Sequence, residues 1–128
     1  MPIARPVVAV VEDDDGMRKS IERLLAATGY APRTFSSAQE YLESATGNPA
    51  ALVLDVHLPA ISGLELHRRL LAAGSRVPVV FITAFDQEET RAEAQGLGCV
   101  AYLRKPFKPE ALAAAILRCI QASPRPGT

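Results

Sequence analysis

The sequence predicts one α/β domain: a five-stranded, doubly wound parallel sheet of order 2-1-3-4-5 with helices on both faces, a three-layer α/β/α sandwich. Three observations point there. Five short apolar runs alternate with five segments of helical periodicity, which implies right-handed βαβ crossovers. Val7 to Val11 is a continuous, mostly β-branched apolar run, as suits a strand covered on both faces. A length of 128 residues suits one domain with a continuous core and is short for two. The order 2-1-3-4-5 is a common solution for five strands of this kind.

Val7 to Val11 reads as β1. Met17, Ile21, Leu24, Leu25 and Thr28 then recur at helical spacing up to Gly29, a plausible residue just past a helix end, which gives α1. Ala31 to Phe35 is β2. Ser37-x-x-Glu40 has capping-box spacing and opens α2, which should end near Gly47-Asn48-Pro49. Ala51 to Leu54 forms β3, closed by Asp55, and Ser62-x-x-Glu65 opens α3, running to about Gly74. Val77 to Ile82 is β4, with Pro78 tolerable only near its start. Asp86 to Gln95 is α4, a polar helix whose thin apolar face is Ala92, Ala94 and Leu97. Cys99 to Leu103 is β5, and Pro109 opens α5, which carries Leu112, Ile116, Leu117 and Ile120. The domain is expected over residues 1–122, and 123–128 as a flexible tail or the start of a linker.

Lys+Arg and Asp+Glu stand at 14 each, so net charge draws the chain to neither nucleic acid nor anionic membrane. The apolar runs are far shorter than the roughly 18 residues a bilayer requires. Residues 1–6 carry one Arg and no apolar core of a signal peptide, so a cytoplasmic location is expected. Two cysteines, Cys99 and Cys119, lie in apolar segments without metal-ligand spacing and are expected as buried free thiols.

The functional crevice of such a sheet lies at the carboxyl ends of its strands. Four of those ends carry chemistry: Glu12-Asp13-Asp14-Asp15 after β1, Asp55 at β3, Thr83-Ala84 at β4, and Lys105-Pro106 after β5. Carboxylates gathered at one edge repel each other unless a cation is shared. With neither thiolates nor ligand-spaced histidines, the expected ion is hard, and few carboxylates suit Mg²⁺, which keeps waters and contacts phosphoryl oxygens. A carboxylate nucleophile, a metal, an ammonium and a hydroxyl together suit in-line phosphoryl transfer onto Asp55.

Val11-Glu12-Asp13, Asp55-Val56-His57-Leu58-Pro59 with Gly63, Thr83-Ala84 and Lys105-Pro106-Phe107 resemble, in order and spacing, the signature of receiver domains of bacterial two-component response regulators. The resemblance covers Val7 to about Gln121. Leu58 to Gly63 and Arg104 to Phe107 most resemble the FixJ-like branch. The resemblance implies a flavodoxin-like (CheY-like) fold, with Asp55 as phosphoacceptor. It implies Mg²⁺ (Mn²⁺ as an alternative) held by Asp13 and Asp55 directly, by Glu12 through water and by the His57 main-chain carbonyl. Thr83 and Lys105 would contact the phosphoryl oxygens, the Lys105-Pro106 bond would be cis, and Tyr102 would be the aromatic that follows Thr83 inward. The implied partners are a sensor histidine kinase or phosphotransfer protein and a second copy through α4-β5-α5. The implied role is a switch and not an enzyme: its only chemistry is phosphotransfer to, and dephosphorylation of, its own aspartate.

Plainer readings apply to several residues. Asp14 and Asp15 suit the first turn of α1 electrostatically and are not counted as ligands. Tyr102 has half-buried packing as its alternative. His67 is expected on the surface of α3. Gly29, Gly63, Gly74, Gly96 and Gly98 read as turn and cap glycines. Glu12 replaces the more frequent Asp but still reaches a metal-bound water. Two rivals are weaker. A haloacid-dehalogenase-type phosphatase expects a second Asp two residues after the nucleophile, where His57 stands, and an unphosphorylated receiver-like module usually lacks an acid, the Thr or the Lys.

Overall fold

The computed structural model describes residues 4–44 and 47–122; the expected tail at 123–128 lies outside them. The elements run β1 Val7–Val11, α1 Asp15–Ala27, β2 Ala31–Phe35, α2 Ala38–Glu43, β3 Ala51–Asp55, α3 Gly63–Ala72, β4 Val79–Thr83, α4 Glu88–Gly96, β5 Ala101–Arg104 and α5 Pro109–Ala122. All strand pairs are parallel and their order is β2-β1-β3-β4-β5, as the sequence predicts.

Strand alternation divides the core into two layers. Val8, Val10, Val53, Val80 and Ile82 face α1 and α5, meeting Ile21, Leu25, Leu112 and Ile116. Ala9, Val11, Leu52, Leu54 and Phe81 face the other side, with Ala38, Leu64, Leu66 and Ala94 of α2, α3 and α4. β3 and β4 are buried along their whole length, which accounts for their unbroken apolar sequence.

Local chemistry sets the boundaries. Asp14 caps α1 by accepting the Met17 N–H at 2.7 Å, and Asp15 pairs with Arg18, the local electrostatic role expected of both. Ser37 and Ser62 cap α2 and α3, each accepting an N–H at 3.1 Å. The glutamate half of each capping box is diverted: Glu40 accepts from Ser36, and Glu65 pairs with Arg68 and Arg69.

Four expectations are corrected. α2 ends at Glu43 and not near Gly47, because the backbone turns extended at Ser44. β4 starts at Val79 and not Val77, because Pro78 offers no N–H; its carbonyl still accepts the Leu52 N–H at 2.9 Å. β5 starts at Ala101 and not Cys99, whose N–H still closes α4 on the Ala94 carbonyl. His67 is not on the surface. It is 4% exposed and meets Phe81 edge to face at 5.5 Å, since it lies one helical turn from Leu64 and Leu70 on the inward stripe of α3. Burial holds its pKa below the ordinary histidine value. Cys119 is buried and Cys99 half-buried, and neither is joined in a disulfide.

Candidate functional site

The ends of β1, β3, β4 and β5 bring the sequence-predicted residues to one edge of the sheet. Asp55 is the last residue of β3 and Thr83 of β4; Glu12 and Lys105 each follow their strand directly. Glu12 and Thr83 have no exposed surface and Asp55 has 5%, so the cluster sits in the sheet and not on a loop tip. Its centre is Lys105, whose ammonium donates to Glu12 Oε1 at 2.5 Å and to Asp55 Oδ2 at 3.0 Å. The main chain holds the opposite oxygens: His57 N–H donates to Asp55 Oδ1 at 2.9 Å, and Asp14 N–H to Glu12 Oε2 at 3.1 Å. The Lys105-Pro106 bond is cis.

Burial is the main force on Glu12. It pushes the carboxyl up to about 7, with Lys105 opposing the rise and Asp55 adding to it. Burial also works against the Lys105 ammonium, but its bonds to Glu12 and Asp55 outweigh that and hold it above the ordinary lysine range. Asp13 is exposed beside them, and one carboxylate oxygen from each of Glu12, Asp13 and Asp55 falls within 4.8 Å of the others. This all-oxygen set, with one exposed and two buried carboxylates, fits a hard divalent cation that keeps part of its water shell.

Thr83 turns its hydroxyl to its own loop: it accepts the Phe85 N–H at 3.0 Å and donates to the Phe85 carbonyl at 2.9 Å. Tyr102 is half-buried with its ring below the Arg91 guanidinium, 5.6 Å from the centroid. Burial, then Asp86, keep that phenol above its ordinary pKa. The His57 ring lies outside the cluster, exposed and edge to face with Phe85 at 5.6 Å.

Two residues gained a role that the sequence reading did not assign. Gly63, expected as a cap glycine, opens α3 directly against Asp55: a Cβ there would stand 2.1 Å from the Asp55 carbonyl oxygen. Its N–H donates to the Val56 carbonyl at 2.9 Å, so helix and acceptor strand are joined backbone to backbone. Arg18 donates to the Glu12 main-chain carbonyl at 3.0 Å. The Gly next to a capping Ser was a signal for the first; nothing in spacing marks the second.

Comparison with known proteins agrees with this geometry. The response regulator receiver domain matches residues 8–117. The transcriptional regulatory protein FixJ of Azorhizobium caulinodans is 35% identical over 128 residues, 99% of this chain and 60% of its own length. Nodulation protein W of Bradyrhizobium diazoefficiens is 36% identical over 114 residues, 88% of this chain and 50% of its own. The chain thus spans only about half to three-fifths of these curated relatives. Among solved structures, FixJ-N matches with a TM-score of 0.87 at 29% identity, over 96% of this chain and 99% of that one. A CheY-like receiver domain protein of Methanospirillum hungatei shares the fold, with a TM-score of 0.85 at 22% identity, over 92% and 95% of the two chains. The fold, the carboxylate edge and these matches together place the chain in the response regulator receiver domain family, with FixJ proteins among its relatives.

Proposed function

We propose that the chain is a phosphoacceptor switch of a two-component system, working in the cytoplasm, in which Asp55 takes a phosphoryl group from the phosphohistidine of a sensor kinase or phosphotransfer protein. The observation that carries this is the single cluster in which Asp55 lies 3.0 Å from Lys105 and within 4.8 Å of the carboxylate oxygens of Glu12 and Asp13. In the transfer, an Asp55 oxygen forms a bond to phosphorus, the phosphorus–nitrogen bond of the donor breaks, and the imidazole leaves and takes up a proton.

Glu12, Asp13, Asp55 and the His57 carbonyl would hold Mg²⁺, with Mn²⁺ as a substitute, and the ion would supply charge neutralisation for the phosphoryl oxygens. The His57 N–H orients Asp55 before the reaction. Lys105 exchanges its carboxylate partners for a phosphoryl oxygen, and Thr83 releases the Phe85 main chain to donate to another. Tyr102 then follows into the space by Thr83, shifting the α4-β5-α5 surface toward an output partner or a second copy of the chain. Phe85, 66% exposed and edge to face with His57, presents no group that orients an attacking water, so the phosphoryl group is lost slowly. No reaction on external substrates is expected of this site.

Incubation with a small-molecule phosphodonor and Mg²⁺, read by intact mass, tests the proposal. The expected result is one added phosphoryl group that outlasts a timescale of seconds, requires Mg²⁺ and disappears in Asp55→Asn. Turnover of an external phosphoester would instead identify a phosphatase, and absence of any reaction an interaction module.

A further inference from the structure

Asp13 is the exposed member of the carboxylate group, and its position depends on the backbone to either side. On its N-terminal side every polar group of Glu12 is tied: the N–H to the Phe35 carbonyl at 3.0 Å, the carboxylate to Lys105 and the Asp14 N–H, and the carbonyl to Arg18 Nη1 at 3.0 Å. On its C-terminal side Asp14 caps α1. The Glu12 carbonyl belongs to the peptide bond that leads into Asp13, so the group gripping it sets the direction in which Asp13 leaves the strand.

We propose that Arg18 is a positioning residue for the divalent-cation site, holding the Glu12–Asp13 peptide so that the Asp13 carboxylate faces Glu12 and Asp55. The proposal rests on the reading of these three carboxylates as a magnesium site. An ordinary ion pair within a helix would need only the contact of Arg18 Nη2 with Asp15. Here the fork spans two targets, Asp15 and the Glu12 carbonyl, and the Arg18 side chain is 18% exposed while that of Asp15 is 78% exposed.

Charge and geometry predict opposite signs. A guanidinium near a cation site repels the ion, so charge alone predicts tighter Mg²⁺ binding once Arg18 is removed. Positioning predicts weaker binding, by about tenfold, the lower end for loss of a group that orients a metal ligand. Calorimetric titration of Mg²⁺ into the metal-free chain, compared with Arg18→Met and Arg18→Lys, separates them. Methionine keeps the stem and removes charge and donors; lysine keeps the charge and cannot span both targets. Weaker binding by both variants is expected. Arg18→Met binding Mg²⁺ as tightly as the wild type, or more tightly, overturns the proposal while leaving the metal site standing. If Arg18→Met does not fold, Arg18→Lys decides alone, and unchanged affinity overturns the proposal. No binding by the wild type removes the metal site and the role of Arg18 with it.

Discussion

The acceptor corner and the α4–β5 edge sit at neighbouring ends of one sheet and are held in different ways. Around Asp55, buried polar groups are tied to one another and to main chain, α3 is capped by Ser62, and the Gly63 N–H ties its first turn to the Val56 carbonyl. At the other edge, no side chain caps the first N–H groups of α4, which buries only Ala94. Among the described residues β5 has a single strand neighbour. The ion pairs tying α4 to its surroundings, Arg68–Glu93 and Arg91–Asp86, involve half-exposed arginines. Interactions of that kind contribute about 0.2–1 kcal/mol each. Fixed geometry lies where a phosphoryl group would be received, and weak attachment where the surface would respond.

The largest expected effect is at Gly63. Gly63→Ala drives a methyl into the Asp55 carbonyl and is expected to cost about 3 kcal/mol in urea denaturation. Gly96→Ala, at the end of α4, meets nothing within 4 Å and is expected to stabilise by about 0.5–1 kcal/mol. If Gly63→Ala stays within about 0.5 kcal/mol of the wild type, the acceptor corner is not locked.

The two thiols sharpen the contrast. Cys99 lies half-buried where α4 meets β5, and Cys119 is fully buried in α5. Local opening of α4 should expose Cys99 without releasing Cys119, giving a labelling rate about a hundredfold higher under native conditions. Burial raises both thiols above the ordinary range, Cys119 to about 11, so both rates should climb with pH as thiolate forms. Equal rates would mean that α4 opens only with the whole domain.

The smallest effect is expected at Arg68, where both partners of the Glu93 pair are more than two-fifths exposed. Arg68→Ala should cost about 0.5 kcal/mol in thermal melting. A loss above about 2 kcal/mol would show α4 fastened to α3 and unsuited to shift.

How much of this was legible in the sequence follows the range of the forces. β1, β3 and β4 were readable because burial on both faces gives unbroken apolar runs, whereas β2 and β5 are only partly buried and the strand order came with the fold class that the resemblance implies. The site was readable because its residues stand at strand ends, where chain direction alone gathers them. The starts of β4 and β5 were misplaced because apolar character continues through Pro78, which has no N–H to give, and through Cys99, whose N–H turns back to the Ala94 carbonyl. His67 was misplaced because a polar residue type outweighed its place on the inward stripe. The contacts of Gly63 with Asp55 and of Arg18 with Glu12 join a helix start to a strand end, and periodicity carries no trace of them.

Hydrogen exchange by mass spectrometry, before and after stoichiometric phosphorylation on Asp55, tests the central claim most directly. Peptides across 86–104 are expected to change protection while those across 51–66 stay as they were. Unchanged exchange across 86–104 in the phosphorylated chain, or change confined to 51–66, would contradict it.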